Sequence, residues 1–74
     1  MNATTKAIID RLPGKPILSP GDIAAAYGKA DGAIVIADIK RGKISANRIG
    51  GQFLIARVEA VRYVVSNEYK ADEA

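Results

Sequence analysis

Five cations with no acid among them lie between Lys40 and Arg57, and they flank a paired glycine: Lys40, Arg41, Lys43, Arg48 and Arg57 surround Gly50-Gly51. Clustered cations attract phosphate, and glycines let a backbone approach another chain closely. Lys40 to Arg57 reads as a helix end followed by a small hairpin with a Gly-Gly tip, a ribbon able to lie along a phosphate backbone or reach into a groove. Over residues 40–62 six cations face Glu59 alone, whereas from Ser66 onward Lys70 faces Glu68, Asp72 and Glu73. This gradient suits a polyanion-facing surface with an acidic end held away from it. A solvated basic face would give the same charges, so the ribbon has to carry the distinction.

Other chemistries fall away by residue type. The chain has no histidine, which removes the commonest general base and the commonest metal ligand, and no cysteine, which removes disulfides and thiolate metal sites. Ser19 has no base to activate it and no Gly-x-Ser-x-Gly elbow around it. Gly28 to Gly32 lacks the Walker spacing and its Gly-Lys-Ser/Thr. Asp22 reads as a helix cap, and Tyr27, Phe53 and Tyr63 read as core rather than stacking platforms. We expect no enzyme, cofactor, metal or small-molecule substrate. Nothing resembles a secretory signal, and no apolar run is long enough to span a bilayer, so the expected location is the cytoplasm.

The 74 residues suffice for one domain with a small core. Asn2 to Leu12 reads as a short helix with Ala7, Ile8 and Leu12 on one side, stopped by Pro13-Gly14. Lys15 to Leu18 is extended, because Pro16 disfavours helix at the residue before it. Ser19-Pro20-Gly21-Asp22 then opens a second helix, with Ser19 as N-cap, Pro20 at the first helical position and Asp22 at the capping-box position. Ile23, Ala24, Ala26 and Tyr27 give it a packing face, and Gly28 can end it in the left-handed conformation.

The next segment is ambiguous. Ala33-Ile34-Val35-Ile36-Ala37 is a continuous, largely β-branched run that alone would pass for a buried strand. Helix is favoured by Asp31 as an N-cap, by Lys40 and Arg41 in the last turn, and by Gly42 just beyond it. Such a helix would bury Val35, Ile36 and Ile39 and expose Ile34, Ala37, Asp38 and Arg41. For the hairpin, a two-residue Gly50-Gly51 turn would put Arg48 with Phe53 and Ile49 with Gln52. A three-residue loop including Gln52 would gather Ile49, Phe53 and Ile55 on the core face and turn Arg48 and Leu54 outward. The second sorts apolar from charged better and is the expectation. A last helix from Ala56 or Arg57 to Val65 carries Val58, Val61 and Val65, broadened by Ala60, Tyr63 and Val64, with Arg62 toward solvent. Residues after Tyr69 are expected to fray.

The fold expected is therefore mainly α with a small β-hairpin: residues 1–16 form a short helix and linker, 17–65 a winged helix-turn-helix domain, and 66–74 an acidic tail. Ile17-Leu18-Ser19-Pro20-Gly21-Asp22-Ile23-Ala24, Ile39-Lys40-Arg41-Gly42-Lys43-Ile44 and Arg48-Ile49-Gly50-Gly51-Gln52-Phe53-Leu54-Ile55-Ala56-Arg57 together resemble the MerR-like winged helix-turn-helix of phage and plasmid excisionases. The resemblance implies a small double-stranded DNA-binding protein of prokaryotic cytoplasm, associated with the nucleoid when bound. It would direct recombination toward excision or regulate transcription, with several copies on adjacent sites and an integrase or recombinase as a partner.

Carried over by position, the recognition helix is Asp31 to Arg41 and the wing Arg48 to Gln52. Lys29, Lys40, Lys43 and Arg57 would then contact phosphates. Arg48, with Gly50 and Gly51 allowing close approach, would enter the minor groove. Asn47 and Gln52 would meet base edges, Ile34 and Ala37 thymine methyls, and Arg41 a guanine where the helix end points inward. Arg57 also has a plainer role open to it, as a cross-link near a helix start. The rival class is a protein-interaction module, whose exposed Ile34 and valine-rich last helix would bind an integrase, a toxin or a second copy. A phage packaging subunit is a further possibility within the DNA class.

Overall fold

Local chemistry decides where the two central helices begin and end. In the computed structural model, which describes residues 1–69, α2 (Pro20–Ala26) starts at Ser19. Ser19 Oγ accepts the Asp22 N–H (3.1 Å) and Asp22 Oδ2 accepts the Ser19 N–H (3.0 Å), a reciprocal capping box. The helix ends on Gly28 at φ 77°, and the Lys29 N–H returns to the Ala24 carbonyl. The ambiguous apolar run is helical: α3 spans Ala33–Lys40, and Gly42 at φ 80° lets the Lys43 N–H reach the Asp38 carbonyl. Both ends are Schellman turns that satisfy otherwise orphaned carbonyls. Asp31 accepts the Ala33 N–H, although Gly32 holds the N-cap position itself.

The chain runs from α1 (Ala3–Arg11) through β1 (Ile17–Leu18), α2 and α3 to the hairpin β2 (Asn47–Ile49) and β3 (Gln52–Ala56), and ends in α4 (Arg57–Ser66). The result is a small, mainly helical fold with a three-stranded antiparallel sheet in the order β1-β3-β2. β1 goes beyond the sequence expectation of an extended segment. It pairs Ile17 with Ala56 and Leu18 with Ile55, which brings the start of α2 beside the hairpin. Leu18, Ile23, Val35, Ile55 and Val64 are the largest side chains fully removed from water, so each central element contributes to one core. No described helix is long and apolar enough to cross a membrane.

Several side-chain placements depart from the sequence reading. In α1, Thr5 rather than Ala7 joins Ile8, Ile9 and Leu12 against the core. In α4 the buried face is Ala60, Tyr63 and Val64, while Val58 is 63% exposed and Val65 also faces outward. The start of α4 is pinned from outside: the Arg57 N–H donates to the Pro16 carbonyl and its Nε to the Pro13 carbonyl. These bonds set the rotation of the helix about its axis, so valine spacing alone does not decide which face is buried.

The hairpin uses the two-residue turn, contrary to the expectation of a three-residue loop. Gly50 (φ 53°) and Gly51 (φ 86°) are both left-handed, as in a type I′ turn, and Arg48 pairs with Phe53 and Ile49 with Gln52. That turn matches the right-handed twist of the strands. Side-chain sorting does not oppose it, because the tip projects beyond the core: Ile49 is 65% exposed and Arg48 lies over the Phe53 ring at 5.1 Å. Leu54 faces outward, as expected. Asp38, expected to be exposed, is buried, because its carboxylate meets the Tyr63 hydroxyl from α4.

Helices α2 and α3 touch at Gly32, where an added Cβ would lie 2.9 Å from the Gly21 nitrogen and the Pro20 carbonyl carbon. These obstacles are backbone and cannot swing aside. Gly32→Ala is therefore expected to cost about 1–3 kcal/mol by forcing the pair apart. Thermal unfolding should show a midpoint lowered by at least about 5 °C; an unchanged midpoint would contradict the close packing.

Candidate nucleic-acid interface

One side of α3 carries Gly32, Ile36 and Lys40 at successive four-residue steps, and this side faces the hairpin. Together with Ser19, Pro20 and Gly21 it forms one wall of an open cleft of about 500 Å³; Arg48, Gly51, Gln52, Phe53 and Leu54 form the other. Proline, isoleucine and phenylalanine supply an apolar floor, with Lys40 and Arg48 charged on opposing walls. The capping box positions the first wall, since it fixes where α2 starts. The glycine turn positions the second, by putting Arg48 on the same face of the ribbon as Phe53.

Four of the sequence candidates, Lys40, Arg48, Gly51 and Gln52, thus line a single cleft. The others are distributed around it. Gly50 is exposed at the tip, and Lys43 is exposed just past the end of α3. Ala37 is half-buried on the outer side of α3, in line with exposed Arg41. Asn47 lies on the opposite face of the hairpin, in a smaller hollow with Ile17, Ala46 and Leu54. Lys29 and Ile34 lie on the far side of α3, beside Tyr27, Asp38, Tyr63 and Asn67. Arg57 is half-buried at the far end of β3, with its Nε committed to the Pro13 carbonyl. That is the cross-linking role, and it leaves less of the guanidinium free for a phosphate.

The ion pairs among the described residues join Lys15 to Asp22, Arg41 to Asp38 and Arg62 to Glu59. Lys29, Lys40, Lys43 and Arg48 take part in none of these. No group of three or more metal-ligating side chains occurs among the described residues.

The buried polar pair behind α3 falls outside the sequence expectations. Tyr63 donates from its hydroxyl to Asp38 Oδ2 at 2.6 Å, and Arg41 Nη1 donates to Asp38 Oδ1 at 3.0 Å. The Tyr63 hydrogen bond is the main reason the Asp38 carboxyl lies below its ordinary pKa, with Arg41 and Lys43 adding to it against the opposing effect of burial. Burial, followed by the bond to Asp38, pushes the Tyr63 phenol up to about 12. The available signal was an acid three residues before an arginine in the last turn of a helix, where the dipole disfavours negative charge. Tyr63 itself could not be inferred as its partner, being 25 residues away.

No protein-family model, curated protein or solved structure matches this chain. The chemistry of the cleft is carried by its geometry.

Asp38 makes the domain acid-sensitive in a definite direction. Its folded pKa is below the unfolded value, so its contribution is complete above the unfolded pKa and is lost as pH falls through the folded one. Stability should therefore decline below about pH 4. Asp38→Asn should flatten that decline in urea titrations at stepped pH, and an equally steep decline in the variant would assign the loss to other carboxylates.

Proposed function

We propose that the protein binds double-stranded DNA as a winged helix-turn-helix module. In this reading α2 and α3 are the helix pair, α3 enters the major groove and the β2–β3 hairpin is the wing in the minor groove. The observation that carries the proposal is the pairing of Lys40, from the helix, with Arg48, from the hairpin, on opposing walls of one cleft. A phosphate strand separating the two grooves would pass between them. Lys43, just past the end of α3, and Gln52 extend the same footprint, and the Gly50-Gly51 tip is narrow enough to approach a groove floor.

The role we assign is that of a recombination directionality factor of the excisionase type, or of a phage or plasmid transcriptional regulator, in the cytoplasm of a prokaryote. The protein acts without catalysis, cofactor or small-molecule substrate. A short helix whose outer side carries Ala33 and Ala37 discriminates modestly, so several copies on adjacent sites, alone or beside an integrase, give the required selectivity.

A protein-interaction role draws its support from a different surface. Ile17, Ile49, Leu54 and Val58 are exposed apolar side chains, the first three on the outer face of the sheet and Val58 at the start of α4. Charge reversal at Lys43 and Arg48 separates the two roles, since it spares that surface.

Fluorescence anisotropy on a random-sequence duplex provides the test. Phosphate contacts from Lys40, Lys43 and Arg48 should give a log–log salt slope of roughly −3. Lys43→Glu with Arg48→Glu should abolish binding at 100 mM salt, a condition of the assay set at about physiological screening. A wild-type protein that ignores duplex DNA even in dilute buffer ends the DNA reading and leaves the protein-partner one.

A further inference from the structure

Along the outer side of α3, Ala33, Ala37 and Arg41 follow one another at four-residue steps. The first two are too small to obstruct close approach and carry no side-chain hydrogen-bonding group, so in this row only Arg41 can form a directional polar bond to a base. Its guanidinium is not free to wander. Nη1 is held at 3.0 Å by Asp38 Oδ1, while the other oxygen of that carboxylate accepts the Tyr63 hydroxyl at 2.6 Å. Tyr63 is itself buried and meets the Tyr27 ring edge-on at 6.4 Å. A continuous run of contacts thus leads from α4 through Asp38 to an arginine side chain that is 64% exposed.

Three physical effects weigh against an acid at position 38. It is buried, it lies in the last turn of a helix, where the dipole is unfavourable, and it belongs to the element assigned to a polyanion. Ala60 and Val64 of α4 are already buried in the shared core. What the carboxylate adds is a fixed direction for the guanidinium. One Nη1 hydrogen is consumed, and Nε, Nη2 and the remaining Nη1 hydrogen stay available for a two-pronged contact.

We propose that Asp38 is a positioning residue that holds Arg41 for recognition of a guanine in the major groove, making this pair the determinant of base preference. The inference rests on the DNA-binding reading above and goes beyond it by identifying what holds the arginine and by making this pair the source of base preference. Arginine bonded to the O6 and N7 of guanine is the contact this geometry prepares, with part of the rotamer entropy of a long side chain already spent in the free protein.

The test is selection from a randomised duplex library by the full chain, followed by sequencing of the bound pool. The wild type should enrich guanine at one fixed position by on the order of tenfold or more over the other bases. Arg41→Ala should lose that preference and also weaken binding to unselected duplex. Asp38→Asn, which keeps an acceptor for Tyr63 but removes the charge, should lose most of the preference while its affinity for unselected duplex stays the same or rises. Tyr63→Phe, which leaves both charges in place, should give a partial loss, and Arg41→Lys a full one. A merely structural role for Asp38 would instead weaken both kinds of binding in parallel.

Guanine enrichment that survives in folded Asp38→Asn overturns the inference, as does enrichment unaltered in Arg41→Ala. Should Asp38→Asn fail to fold, Tyr63→Phe and Arg41→Lys decide alone, and undiminished preference in either overturns it. A wild type that binds duplexes without base preference ends this inference and leaves the DNA reading in place. A wild type that binds none ends both.

Discussion

Leu18 and Ile55 sit opposite one another in the β1–β3 pairing, both fully buried, and the remaining elements are arranged around that contact. Leu18 is followed at once by the cap of α2, whereas Ile55 belongs to the strand that carries the hairpin in one direction and α4 in the other. Holding these two residues together therefore sets the distance between the helix pair and the ribbon. A buried aliphatic side chain of this size contributes about 1.5–3 kcal/mol by leaving water. In so small a domain, two of them at one junction amount to a substantial part of the net stability. The cleft between Lys40 and Arg48 is a consequence of that junction, since neither of its walls would be placed without it.

The legible parts of this fold are those whose causes lie within a few residues. Ser19, Pro20 and Asp22 make a helix start through bonds spanning three residues, and Gly28 and Gly42 end helices through their own φ angles. The apolar run of α3 resolved correctly as helix because its boundary signals outweighed its β-branched interior. What escaped depends on distant partners. β1 becomes a strand only by meeting β3, nearly forty residues later. Asp38 turns inward only because Tyr63 arrives from α4, and α4 presents Ala60 and Val64 only because Arg57 is tied to the loop after α1. The hairpin register departs from expectation for a different reason. Apolar sorting has no force at a ribbon tip with no core beneath it, and the turn geometry of two left-handed glycines decides the register.

The candidate site divides along the same line. Charge and glycine content identified Lys40, Arg48, Gly51 and Gln52, and these four come together in one cleft. Helical spacing correctly assigned Ile34 to an exposed face but could not say that this face lies away from the hairpin, with Lys29 beside it. The apolar floor of the cleft was hidden, because Ile36 and Phe53 read as ordinary core residues until the projection of the ribbon left them only half covered. Charged residues are readable when exposure is their default; a buried one acquires its meaning from whatever faces it.

The hairpin's outer strand, β2, lies at the margin of the sheet and is three residues long, ending in a tight reversal at Gly50-Gly51. A margin that short offers few free backbone donors and acceptors to a passing chain, and Arg48 at its centre brings a charge that a second ribbon of the same sequence would repel. The brevity that makes the ribbon a slender probe also protects against sheet-to-sheet aggregation, the usual hazard of an unpaired strand.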